Sequence, residues 1–339
     1  MSATIIAEAG VNHNGDMKLA KKLVDAASNA NADYIKFQTF KAESLASKNS
    51  KKSKYQRINT KNNESQYDML KSLELDKENH IELINHCKKK NIKFLSSAFD
   101  LMSLDFLISL DCGLIKIPSG EINNYTYLNR VSEQKSPVIL STGMSTMEEI
   151  EIALKLLTSK KLSIDDITVL HCNTEYPTPM EDVNLKAMLK IKEYFNVKIG
   201  YSDHTLGIEV PIGAVALGAN VIEKHFTLDR TMKGPDHACS LEPIELKNMV
   251  KAIRNIEIAC SGSGIKEQSK SELKNISIVR KSLFLKKDVK KGTPLLENML
   301  IALRPGDGIS PIKIPDLIGK IFKKDLKKST KLKYEYFEK

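Results

Sequence analysis

Through residue 265, short β-branched runs alternate with longer stretches whose apolar residues recur at helical spacing. The runs are Thr4–Gly10, Asp33–Phe40, Ile92–Phe99, Leu114–Gly120, Pro137–Gly143, Ile167–Thr174, Lys198–His204 and Asn220–Thr227. Between them Met17–Asn29, Lys77–Lys90, Thr146–Leu157 and Val183–Phe195 read as helices. Ser145 is expected to cap the third of these, with Glu148 at capping-box spacing. Strand–helix alternation implies a parallel sheet, because a parallel crossover needs a connection of helix length. Eight such units in roughly 250 residues is the count and size of an α/β chain closed into a (β/α)8 TIM barrel. The rival, an open doubly wound sheet, expects a GxGxxG turn after its first strand, and Gly10-Val11-Asn12-His13-Asn14-Gly15 is not one.

One connection, Lys41 to Leu75, is too long for this rhythm and rich in Lys, Ser, Asn and Gln. On a barrel it is a loop of the catalytic face, expected as a mobile cover or a disordered insertion. Composition changes at Gly262–Ser269: from Lys266 onward there are 19 Lys/Arg against 9 Asp/Glu, while residues 1–265 balance. The expected organisation is a catalytic barrel over 1–265, a linker over 266–280 and a small β-rich domain over 281–339. Ser282–Leu285, Leu295–Leu296 and Met299–Leu303 read as the short strands of that domain.

The basic tail has no finger, helix-turn-helix or glycine–aromatic signature, so a lysine-coated surface is preferred over nucleic-acid binding. No apolar run approaches the ~20 residues of a membrane span. The N-terminus has no basic stretch of a signal peptide, and five cysteines without a CxxC pair argue against a disulfide framework or thiolate zinc site. These features predict a cytoplasmic protein with no membrane partner.

Candidate chemistry collects at the strand ends, where a barrel carries its active site. They supply Glu8, Lys36, Gln38, Ser97, Lys116, Ser119, Glu121, Ser141, Asn173, Tyr176, Ser202, His204, Glu223 and His225. Polar groups in strands that should be buried on both faces are costly unless they face a ligand. His204 and His225 close adjacent strands, ~4.8 Å apart, and so can reach one divalent ion. Mn2+, Co2+, Mg2+ or Zn2+ suits imidazole with oxygen donors. Ser119, Ser141 and Ser202 with Lys36 and Lys116 form a cradle for an anion such as phosphate, with Glu121 beside it for proton transfer.

The segments Ala7–Gly15, Lys36–Thr39, Lys116–Glu121, Leu140–Met144, His171–Pro179, Tyr201–Thr205, Glu223–Thr227, Gly234–His237 and Arg304–Gly308 resemble the sialic acid synthase family, in order and over nearly the whole chain. The resemblance implies a TIM barrel followed by an antifreeze-like (SAF) domain. It implies condensation of phosphoenolpyruvate with N-acetylmannosamine to give N-acetylneuraminate and phosphate. The alternative substrate is 2,4-diacetamido-2,4,6-trideoxymannose, giving N,N'-diacetyllegionaminate.

Carried over residue by residue, His204 and His225 hold the metal, with Mn2+ first and Mg2+ or Co2+ as alternatives. Lys36, Ser97, Lys116, Ser119, Ser141 and Ser202 hold phosphoenolpyruvate, joined by either Asn173 or Thr174. Glu8, Gln38, Tyr176 and Asp236 meet the N-acylated sugar, and Glu8 and Asp236 stand with Glu121 as catalytic candidates. Arg304 reaches the sugar from the other subunit of a domain-swapped homodimer. The rivals are a Schiff-base aldolase using Lys36, Lys116 or Lys224, and an anion-binding protein acting through its basic tail.

Overall fold

The computed structural model describes residues 2–60 and 64–338. Its first unit is a closed barrel of eight parallel strands: β1 (Thr4–Gly10), β2 (Tyr34–Thr39), β3 (Lys93–Ala98), β4 (Ile115–Ile117), β5 (Val138–Ser141), β6 (Ile167–Cys172), β7 (Lys198–Asp203) and β8 (Val221–His225). β8 pairs back onto β1, with Glu8 beside His225. Each crossover carries helix. Met17–Asn29 shows why the pattern works: Ala20, Leu23, Val24 and Ala27 are the buried stripe, and Asp16 caps the first turn by accepting from Lys18 N. Asn31, Asn91 and Asn196 adopt left-handed backbone just past their helices, the position glycine otherwise fills.

Inside the barrel, the period-two alternation of each strand builds layers. Ile6, Leu95, Ile139, Leu170 and Val221 pack into an apolar plug, with Tyr34 and Leu114 against it. Two residues further along the same strands come Glu8, Ser97, Ser141, Cys172 and Glu223, with Lys36 and Lys116 following Tyr34 and Leu114. The plug closes the barrel from below, so the polar layer opens in one direction. Gly200 keeps the plug closed: a Cβ there would come within 2.4 Å of Val221 O and 2.5 Å of a Leu170 methyl.

Three local expectations need correction. The capping box is Thr146 with Glu149, one residue later than read. Ser145 instead turns its hydroxyl to Gly143 O. β4 stops at Ile117, because Pro118 leads the chain into a 3-10 turn over Ser119–Glu121. The disordered reading of the long insertion is overturned. The insertion contains the helices Ala42–Leu45, Lys54–Thr60 and Gln66–Leu73, although its residues 61–63 lie outside the described ones. Met69 and Leu73 pack with Val11 and Phe40 in a small cluster of their own.

The second compact unit begins at Ser263. The stretch read as linker holds a capped helix, Lys270–Val279, followed by the antiparallel pair β9 (Ser282–Leu285) and β10 (Leu300–Leu303). Leu295–Leu296 is not a strand; Pro294 makes an isolated bridge to Ile321. Leu283, Leu285, Leu295, Leu317, Phe322, Leu332 and Phe337 form this unit's core.

The plug predicts that Leu170→Ala destabilises the barrel by about 2–5 kcal/mol, through lost transfer free energy and a cavity that the closed wall resists filling. The shift of the urea midpoint measures it, and a change under 1 kcal/mol would remove the plug's structural role.

Candidate functional site

Strand register dictates which side chains meet above the plug. Glu8 pairs with both Lys36 and His225; Ser97 pairs with Gln38 and Lys116; Ser202 pairs with Cys172 and Glu223. Their side chains, with Ser119, Ser141, Thr174, Tyr176 and His204, line one cavity of about 170 Å³. Phe99, Pro118 and Met144 add apolar wall. Gly143 permits the tight approach of two loops: a Cβ there would lie 2.5 Å from Thr174 Cγ2, and its N–H donates to Ser119 Oγ at 2.9 Å.

The centre of the cavity is an ionic triad. Lys36 Nζ lies 2.9 Å and Lys116 Nζ 3.8 Å from Glu223 Oε1, which also accepts from Ser202 Oγ at 3.2 Å. Lys36 donates to Ser97 Oγ at 3.1 Å and Lys116 to Ser141 Oγ at 2.7 Å. Burial alone would push Glu223 up, but Lys116 and Lys36 outweigh it and bring its carboxyl down to about 2. Burial also opposes the charge of Lys36, yet Glu223 and Glu8 raise it above the ordinary lysine value. Glu8, 3.5 Å from Lys36, goes the other way: burial lifts it to about 8, so it carries a proton at neutral pH. Burial lowers Lys116 to about 8. At pH 7 the triad therefore holds two ammoniums and one carboxylate, a surplus of positive charge facing an anion-sized space.

Beside the triad stand two neutral imidazoles, their centroids 5.4 Å apart. Burial brings His204 down to about 4 and His225 well below its ordinary value. His204 Nδ1 bonds Asn173 O, which places the proton on Nδ1 and leaves the lone pair on Nε2. His225 Nδ1 is buried without a hydrogen-bond partner. Tyr176 stacks on His204 at 4.1 Å and meets His225 edge-on. Neutral rings with free nitrogens suit a divalent ion. No group of three or more His, Cys, Asp or Glu positioned for a metal occurs among the described residues, so a bound ion would take its other donors from water or ligand oxygens.

Most residues singled out in the sequence line this cavity; five do not. Asn173 turns its side-chain oxygen to Glu175 N, so Thr174 lines the cavity in its place. Glu121 follows the lining residue Gly120, but its carboxylate accepts from Asn124. Asp236 is buried outside the lining, in the loop after β8, and burial raises its carboxyl to about 6. That loop is fastened through Asn12 to Phe226 O, Asn14 to Lys233 O and Asn59 to Pro235 O. Arg304 belongs to the second unit, exposed, with Nε donating to Val279 O. Lys224, one of the possible Schiff-base lysines, points away from the cavity into the barrel wall, fully buried against Asp203. Glu223 was visible as a strand-end carboxylate without an assigned role. Its signal was its place two residues before His225, on the same face of β8.

A closed barrel with a charged polar layer at its C-terminal mouth is the frame of a TIM-barrel enzyme. The model of the NeuB family matches residues 23–266, and that of the SAF domain matches 280–335. The chain is 54% identical over 323 residues to the N,N'-diacetyllegionaminic acid synthase of Campylobacter jejuni, covering 95% of this chain and 96% of that protein. It is 47% identical over 341 residues to the protein of the same name from Legionella pneumophila, covering 100% and 95%. The crystal structure of the N-acetylneuraminic acid synthetase of Leptospira borgpetersenii, a complex with citrate, superposes with a TM-score of 0.71 at 36% identity over 81% of this chain and 90% of that one. This chain belongs to the NeuB family, an enzyme of the sialic acid synthase type with a C-terminal SAF domain.

The depressed lysine gives a pH prediction. As pH rises through about 8, Lys116 loses its proton and the cradle loses half its cations. Affinity for sulfate, whose own charge is constant there, falls about tenfold between pH 7 and 9. Lys116→Met binds sulfate more weakly and keeps only the pH dependence of Glu8, which ionises over the same range, so the profile is flat in Lys116→Met/Glu8→Gln. Calorimetric titration at both pH values checks this, and a flat wild-type profile would contradict it.

Proposed function

We propose that this protein condenses phosphoenolpyruvate with 2,4-diacetamido-2,4,6-trideoxymannose and water, giving N,N'-diacetyllegionaminate and phosphate. The observation that carries the reading is the cationic triad beside two neutral imidazoles in one cavity: an anion cradle adjoining a site that fits a divalent ion. Preference for this sugar over N-acetylmannosamine rests on the 54% and 47% identities to two N,N'-diacetyllegionaminic acid synthases, against 36% to the N-acetylneuraminic acid synthetase. The apolar wall of Phe99, Met144 and Tyr176 supports it, since a 6-deoxy, diacetamido sugar presents methyl groups where N-acetylmannosamine presents hydroxyls.

Lys36 and Lys116, with Ser97, Ser119, Ser141 and Ser202, hold the phosphate and carboxylate of phosphoenolpyruvate. Thr174 closes the cradle from the loop after β6. A divalent ion, Mn2+ in the first instance, held by His204 and His225, would polarise the sugar's carbonyl as a Lewis acid. Glu8, protonated at neutral pH and reached by Gln38 at 3.5 Å, supplies a proton to the oxygen formed when carbon 3 of the enol attacks. Positive charge then develops at carbon 2, where Glu223, ionised and with Oε2 unpartnered, provides the facing negative charge. Glu121 and Asp236 complete the site only if their loops close over bound substrate; burial raises both carboxyls, poising them for proton transfer. Water adds at carbon 2, one of its protons returning to the Glu8 carboxylate. The carbon 2–oxygen bond to phosphate then breaks as the new hydroxyl becomes the ketone, its proton leaving with the phosphate, so no covalent enzyme intermediate is required.

Arg304 reaches the sugar's acyl group from a second copy of the chain in a domain-swapped dimer. Its exposed guanidinium is always charged and forked for a carbonyl oxygen.

Phosphate release with each sugar offered separately tests the reaction. The diacetamido sugar is expected to be used faster, chelation to abolish release and Mn2+ to restore it; faster use of N-acetylmannosamine would reassign the substrate. The shared site predicts complementation. Arg304→Ala and Lys116→Met, each inactive alone, regain activity when mixed and refolded together, because about a quarter of the sites then carry neither change. No recovery would place Arg304 outside the partner's site.

A further inference from the structure

We infer that Lys224 is a positioning residue for the ion site: its ammonium ties the residues flanking His204 to the strand that carries His225. The inference rests on the proposed role of the two imidazoles and adds what holds them. Lys224 and Asp203 each precede a histidine by one residue, so side-chain alternation turns them to the outer face of the barrel wall while the imidazoles turn inward. Both are wholly inaccessible to solvent. They are direct register partners across β7 and β8.

The ammonium of Lys224 donates to Asp203 Oδ2 and to the main-chain oxygen of Thr205. Asp203 Oδ1 accepts from Thr205 N at 3.1 Å, and Oδ2 accepts from Thr205 Oγ1 at 3.0 Å. The residue before His204 and the residue after it are thus drawn to one point on the neighbouring strand. His204 O accepts from Thr178 N at 2.9 Å, and its ring is held by Asn173 O, so backbone and ring are both fixed.

Packing alone does not call for this arrangement. Two dry charges in a barrel wall carry a desolvation cost that an apolar pair would avoid, and their best-attested use is to specify register. Here a slip of β7 against β8 by one residue would carry His204 to the outer face. The ion pair opposes that slip at the one step of the ladder where the two imidazoles depend on it.

The test is Mn2+ binding to the whole chain, followed by calorimetry and by the electron paramagnetic resonance signal of free Mn2+. Wild type is compared with Asp203→Asn/Lys224→Met, which removes both charges together, with Thr205→Val, which keeps the ion pair, and with Leu157→Ala, a destabilising change in a helix packed on the barrel. The double variant is expected to bind Mn2+ about 10- to 100-fold more weakly. Thr205→Val should weaken it less, and Leu157→Ala should leave it unchanged; sulfate affinity should stay at the wild-type value in all three. Wild-type Mn2+ affinity in the double variant, or in Thr205→Val if the double variant does not fold, would overturn the inference. So would an equal loss in Leu157→Ala, which would mean that general destabilisation moves the site. Wild type that binds no Mn2+ would instead overturn the ion reading itself.

Discussion

The carboxylate of Glu223 between the ammoniums of Lys36 and Lys116 is the constraint around which the barrel is organised. These three groups come from β8, β2 and β4, and in an open sheet of this strand order β8 would be far from the other two. Only closure brings Glu223 within 2.9 Å of Lys36 and 3.8 Å of Lys116 in the buried interior. Each charge taken alone into that interior would cost several kcal/mol, and the cost is offset only when all three arrive together with their serine partners. Closure and charge placement are therefore one requirement seen from two sides.

The layer beneath explains why such contacts hold. The plug of Ile6, Leu95, Ile139, Leu170 and Val221 keeps water from entering below the polar layer, so the triad meets solvent from the mouth alone. Low local dielectric strengthens the ion pairs and also drives the neighbouring groups toward neutrality. Glu8 keeps its proton and the imidazoles of His204 and His225 stay uncharged. One environment thus sorts three kinds of titratable group into charged and neutral roles, according to whether nearby charge of opposite sign outweighs the cost of burial.

Much of this was legible in the sequence. Thr4–Gly10 and Met17–Asn29 have the bounds that periodicity assigned, because their apolar residues fall on one face and their ends carry clear punctuation. The cavity could be read from polar residues at strand ends, since burial on both faces makes such residues expensive without a ligand. What escaped depended on contacts distant in sequence or on a local turn that residue type alone does not specify. Glu223 needed the register of three strands to reveal its partners. Asn173 and Thr174 could not be separated until the Asx turn at Asn173 was known. The insertion between Lys41 and Leu75 looked featureless because its helices are short and two of its core residues, Met69 and Leu73, pack against Val11 and Phe40 instead of the main core.

The seam of the barrel, where Glu8 lies beside His225, joins the first strand made to the last. On the ribosome the N-terminal end of the site waits while more than two hundred residues are added, with Lys36 and Lys116 already synthesised and their carboxylate still to come. Solvated lysines bear that delay well, whereas a buried pair formed early from the wrong neighbours would not. Placing the counter-charge on the final strand couples completion of the site to completion of the barrel, and a nascent chain stalled before β8 has nothing to seal around.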